Sequence, residues 1–210
     1  MAHKVKQQER MRATALLLFS FVLVLSSSCK EEDDPLPTTV QIEGENYAIA
    51  KIGKHTWTTE NYKGAGGVPY GTGAEKPEYG KYYTYAEATA VVLPAGWRIP
   101  TIEDYTALAE SQGVVFTLQR ANKQQAIKKL ASVNNWRLVP GNNASGFNAQ
   151  PAGYIYQNLG PTDGDLAEFW VADTITASIQ ESFGGTAHTM LFYESSPEGY
   201  RFNLRFVKDN

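Results

Sequence analysis

Asp163, Asp165 and Glu168 place three carboxylates within six consecutive positions. Carboxylate oxygens presented from one turn are the chemistry a Ca²⁺ ion requires. The same letters, Asp163-Gly164-Asp165, also spell an ordinary Asp-Gly turn, and three carboxylates are few for a calcium cage. No resident metal is therefore expected, and no cofactor is implied. General-base chemistry would have to use His55 or His188, because His3 falls in the basic N-terminal stretch. No Gly-x-Ser-x-Gly nucleophile motif accompanies either histidine. Each reads as a partly buried structural residue. Two histidines are also too few for a three-histidine metal site. No catalytic residue is assigned, and the chain is not expected to be an enzyme. Tyr62, Tyr70, Tyr79, Tyr154 and Tyr156 lie in or beside loops. Their rings could stack on sugar faces, although rings of this size also dominate buried area in any fold.

The one cysteine, Cys29, belongs to different chemistry. Lys4, Lys6, Arg10 and Arg12 precede an apolar run from Ala13 to Leu25, and Ser26-Ser27-Ser28 leads into the cysteine. The run of 13 residues is too short for a membrane-spanning helix, which needs about 20, and suits the core of a secretory signal. The pattern resembles a bacterial lipoprotein signal, with Cys29 as the lipidated first residue. One position departs from it: the leucine usual three places before the cysteine is Ser26 here, with Leu25 one place further back. Lys30-Glu31-Glu32 resembles the surface-export signal of Bacteroidetes lipoproteins, and Pro35-Leu36-Pro37-Thr38-Thr39 continues as a semi-extended tether. The expected organisation is a signal peptide over 1–28, a tether over 29–39 and a single domain over 40–210. The expected location is the outer membrane, held by the lipid anchor and facing the cell exterior.

Charge narrows the partners. Loss of residues 1–28 removes four of the 19 basic residues and one of the 22 acidic ones, leaving 15 against 21 and a net charge of about −6. That balance argues against nucleic acid as an electrostatic partner. Residues 47–52 and 55–59 flank Gly53-Lys54 and predict a hairpin; the Gly- and Pro-rich stretch 64–79 predicts a long loop. Helices are predicted over 83–91, over 102–112 with Thr101 as N-cap, and over 122–132. Strands are predicted at 147–150, 153–156, 169–174, 188–193 and 202–207. Helices first and an antiparallel meander after is an α+β pattern.

Several segments carry a family resemblance: Trp57-Thr58-Thr59-Glu60-Asn61-Tyr62, Tyr79-Gly80-Lys81-Tyr82-Tyr83-Thr84-Tyr85, Gly96-Trp97-Arg98-Ile99-Pro100-Thr101, the run Gly146 to Tyr154, the strand Phe169 to Asp173 and the closing Leu204 to Asp209. In this order they resemble the Fibrobacter succinogenes major paralogous domain. The resemblance implies an α+β fold similar to C-type lectins and to formylglycine-generating enzymes, with two to three helices, a short-stranded antiparallel meander and long loops. It carries no established activity. Leu93 and Phe206 stand where many members place two cysteines, so the two are expected to touch in the core. The cysteines that hold copper in the formylglycine-generating enzyme have no counterpart here. The expected function is a surface-exposed, non-enzymatic binding module for a glycan or a cell-surface protein. Its candidate residues are Asp163, Asp165, Glu168, Trp170 and Tyr154. The alternatives are an assembly subunit of a surface complex and a degenerate enzyme of the formylglycine-generating fold.

Overall fold

Short strands and tight turns dominate residues 38–210, the part of the chain that the computed structural model describes. Cys29 and the Lys30-Glu31-Glu32 signal lie outside the described residues. The strands are β1 (Thr39–Ile42), β2 (Glu45–Ile52), β3 (His55–Thr58), β4 (Val68–Pro69), β5 (Lys81–Tyr82), β6 (Trp97–Arg98), β7 (Arg120–Gln124), β8 (Tyr154–Tyr156), β9 (Leu159–Thr162), β10 (Leu166–Val171), β11 (Ile175–Glu181), β12 (His188–Glu194), β13 (Tyr200–Arg201) and β14 (Val207–Asp209). The α-helices among the described residues are α1 (Tyr85–Thr89) and α2 (Ile102–Glu110). Two sheets carry the architecture, one in the order β1-β2-β3-β14-β6 and one in the order β10-β11-β12-β7. Smaller sheets, β13-β8-β9 and β4-β5, complete it.

The fold is thus β-rich, and the α+β, C-type-lectin-like expectation is overturned. The helix expected over 122–132 accounts for part of the difference. Arg120 to Gln124 instead forms edge strand β7 against β12, and Gln125–Lys129 is a single 3-10 turn. Ile127, Leu130 and Ala131 are buried as their spacing suggested. Burial decided their positions, and pairing with β12 decided the backbone. β11, one of the two inner strands of its sheet, had not been expected as a strand at all.

Where local signals are strong, the elements follow them. Thr84 and Thr101 each close a full capping box, with Glu87 and Asp104 at the third helical position. This satisfies donors that a helix start leaves free. The β2–β3 hairpin pairs Ile52 with His55 around Gly53-Lys54. At Gly153, just before β8, φ is +66° and a Cβ would sit 1.5 Å from the carbonyl oxygen of Thr162 at the end of β9, so only glycine allows this approach.

Period-two alternation builds two cores. On β10, Phe169 and Val171 face a cluster with Trp57, Tyr105, Phe147, Ile179 and Phe192, while Trp170 faces a second cluster with Tyr62, Tyr83, Phe202 and Phe206. The chain from Phe202 to Val207 alternates in the same way. Phe202, Leu204 and Phe206 enter the second cluster, and Val207 enters the first. Leu93 packs against the second cluster, partly buried, whereas Phe206 is buried. Burying a side chain of this size stabilises by roughly 1.5–3 kcal/mol. β14 then inserts between β3 and β6, pairing Val207 with both Trp57 and Arg98.

Candidate functional site

Alternation along residues 202–207 leaves Arg205 turned toward the aromatic core, and the site is built around it. The residue is 1% exposed. Its guanidinium lies over the rings of Phe147 and Phe169, 4.9 and 5.6 Å from their centroids. Nε donates to Asn61 Oδ1 at 2.7 Å, and Nη1 donates to the carbonyls of Thr58 and Phe147 at 3.0 and 2.9 Å. Nη2 donates to the carbonyl of Asn148 at 3.0 Å. Burial depresses the Arg205 pKa to about 10, against the opposing influence of Tyr105 and Glu60. The side chain therefore stays charged at neutral pH.

Above this guanidinium opens a cleft of about 280 Å³ lined by Thr59, Glu60, Asn61, Lys63, Pro77, Glu78, Asn148, Gln150 and Arg205. Arg205, Asn61 and Gln150 are buried and form its floor, while Glu60, Lys63, Pro77 and Glu78 line its mouth. Its walls are fixed. Asn61 Nδ2 donates to the Tyr79 carbonyl at 2.9 Å, which ties the segment after β3 to the 3-10 turn Pro77–Tyr79. Gly80, at φ +66°, makes that approach possible, since a Cβ would stand 2.7 Å from Asn61 Cβ. On the other side Asn135 Nδ2 donates to Glu78 Oε1 at 2.9 Å and to Gln150 Oε1 at 3.2 Å, and Gln150 Nε2 donates to Asn148 Oδ1 at 3.3 Å. Amides, carboxylates and cations thus converge on one recess without an aromatic lining.

The carboxylates singled out in the sequence do not converge. Asp163 pairs with Lys76, whose ammonium sits 4.6 and 4.8 Å from the ring centroids of Tyr70 and Tyr79. Asp165 pairs with Arg137 at 3.2 Å. Glu168 is 1% exposed and accepts from Ser178 Oγ and Tyr193 Oη, both at 2.7 Å. Burial raises its pKa to about 7, against the lowering effect of hydrogen bonds from Ser178, Tyr193 and Gln180. Trp170 is fully buried and donates to the Tyr83 carbonyl at 2.6 Å. Tyr154 packs 6.2 Å from Phe202, the ring that Trp170 also meets at 4.7 Å. The Glu168 carbonyl accepts from the Asn203 N–H, one residue beyond that ring. Glu168, Trp170 and Tyr154 therefore share one packed neighbourhood, apart from the cation partners of Asp163 and Asp165. Of the other rings that could have stacked on sugar, Tyr62 and Tyr79 are buried, while Tyr156 is 36% exposed.

One other constellation groups possible ligand atoms, those of His55, Asp104 and Asp209. His55 Nε2 lies 3.2 Å from Asp104 and Nδ1 lies 3.1 Å from Asp209. The two ring nitrogens face different carboxylates, so an ion on one nitrogen would be turned away from the other. Arg98 already bridges both carboxylates. Burial would raise the Asp104 pKa, but the Arg98 hydrogen bond, the Thr101 N–H and the charges of Arg98 and His55 outweigh it, and the net shift is downward. These residues form an ionic clamp that ties β3, β6, β14 and the start of α2 together. His188, on β12, packs against Trp136 at 4.6 Å, and burial lowers its pKa to about 4, so it is neutral at pH 7.

Sequence reasoning had passed over Asn61, Gln150 and Arg205 as site residues. The available signal was their placement: each lies inside one of the segments that carry the family resemblance, and those segments meet at the cleft. The fold and site define a β-rich domain that presents a small polar recess over a buried arginine. The chain belongs to the Fibrobacter succinogenes major domain family, which matches residues 50–208. No curated protein and no solved structure matches it.

Proposed function

We propose that the protein is a non-enzymatic binding module for glycan, displayed on the cell surface by a lipid anchor at Cys29. The observation that supports this reading is the cleft. Its volume of about 280 Å³ falls just under the range of small-molecule sites, roughly 300–1,000 Å³, which suits one sugar unit. Three amides, two carboxylates and two cations line it. Such groups hydrogen-bond hydroxyls, and their mutual bonds hold them in place before a ligand arrives, which lowers the ordering cost of binding.

A glycan array probed with the full chain tests the binding. Gln150→Ala should weaken any glycan signal about tenfold, equivalent to roughly 1.4 kcal/mol, while the domain stays folded with a melting temperature only a few degrees below that of the parent. An empty array, or a signal indifferent to Gln150→Ala, defeats the assignment. Anchoring is tested separately. Cys29→Ala should release the protein from the membrane fraction, and continued membrane association with acyl label would contradict lipidation. Surface display rests on Lys30, Glu31 and Glu32.

A further inference from the structure

The charge at the cleft floor has no carboxylate in hydrogen-bond contact, and Glu60 acts on it only through space. A guanidinium offers five N–H groups. Four meet the Asn61 side chain and the carbonyls of Thr58, Phe147 and Asn148. Every one of these partners is an uncharged oxygen. Among the described residues the second N–H of Nη2 meets no acceptor, and Nη2 is the nitrogen bound to Asn148, a wall of the cleft. A buried charge ordinarily acquires an ionic partner. Here the rings of Phe147 and Phe169 and three carbonyl dipoles support it instead.

Building on the glycan-binding reading, we propose that the cleft is selective for an acidic sugar, with the carboxylate of a uronate unit seated against Arg205 and its hydroxyls against the walls. An incoming carboxylate would give this buried cation the ionic partner it lacks. Lys63 at the mouth adds a second positive charge. Glu60 and Glu78 line the same cleft, but they stand exposed at the mouth, and Asn135 already donates to Glu78. They are placed to accept from hydroxyls rather than to meet the ligand's carboxylate. A peptide C-terminus offers the same carboxylate, yet it brings no row of hydroxyls for the amides of Asn61, Asn148 and Gln150, and an apolar side chain on it would need an apolar recess. Pro77 is the one apolar residue of the lining.

Calorimetric titration of the full chain with sodium glucuronate, glucose and an N-acetyl amino acid tests this. Glucuronate should bind at least about tenfold more tightly than glucose, a difference of roughly 1.4 kcal/mol. The margin should narrow with added salt and fall about threefold in Lys63→Ala. Gln150→Ala should weaken both sugars, which ties the preference to this cleft without disturbing Arg205. Equal affinity for glucose and glucuronate, with both lost in Gln150→Ala, would overturn the acidic preference and leave the glycan site standing. Tighter binding of the N-acetyl amino acid would overturn the sugar assignment. Glucuronate binding undiminished by Gln150→Ala would place it elsewhere and defeat the proposal. Silence with every sugar, together with an empty glycan array, would remove the glycan reading as well.

Discussion

Arg205→Leu is expected to destabilise the domain by about 4 kcal/mol, in the range found when one member of a buried polar network is deleted. Leucine fills much of the volume between Phe147 and Phe169 but leaves the carbonyls of Thr58, Phe147 and Asn148 and the Asn61 amide without their donor. Those acceptors belong to the stretch from the end of β3 to Asn61 and to residues 147–148, so one side chain fastens its own segment to two others. For a domain of this size the melting temperature should drop by roughly 10 °C. Arg205→Lys keeps the charge but offers three donors from one point rather than a planar fork. It should recover only part of the loss. Urea denaturation of the three proteins measures the effect, and a loss under about 1 kcal/mol for leucine would show that the network is incidental.

The second large effect concerns pH. Glu168 has a folded-state pKa of about 7 against 4.5 for the free group, raised by burial. Between pH 4.5 and 7 the folded protein holds a proton on Glu168 that the unfolded chain has released, so stability falls as pH rises through this interval. The contribution is whole below about pH 4.5 and lost once the pH passes the folded value. Its full size is on the order of 3 kcal/mol, since each tenfold change in proton affinity is worth about 1.36 kcal/mol. Thermal melts of the parent and of Glu168→Gln across roughly pH 5 to 8 should diverge in slope. The parent should lose stability toward the alkaline end, and the glutamine variant should lose markedly less. Parallel curves would mean that Ser178 and Tyr193 hold the carboxylate ionised throughout.

Legibility in the sequence followed the range of the interactions. The capping box at Thr101–Asp104 and the Gly53-Lys54 hairpin depend on neighbours a few residues apart, and both could be read directly; the box at Thr84–Glu87 is equally local, but the helix expected over 83–91 runs through its cap. The stretch 122–132 could not, because its apolar spacing is the same whether a helix or a bent edge strand buries it. Only β12, more than sixty residues later, decides between them. The candidate site failed for a related reason. Asp163 and Asp165 look like ligands in the linear text, but their charges are matched by Lys76 and Arg137, both distant in sequence. Arg205 looks like a surface residue between two apolar ones, and the alternation that buries Leu204 and Phe206 on one side is what drives it into the aromatic core on the other.

The seat of β14 between β3 and β6 bears on how the domain acquires its fold. Thr58 and Phe206, 148 positions apart, exchange backbone and side-chain hydrogen bonds at the centre of the five-stranded sheet. That sheet cannot close until nearly the whole domain has left the ribosome. Pairings so remote in sequence must overcome the entropy of a very large loop before they return any stabilisation, which slows folding. The topology postpones the native state until the last strand arrives, and it makes that strand the lock rather than the fringe of the structure.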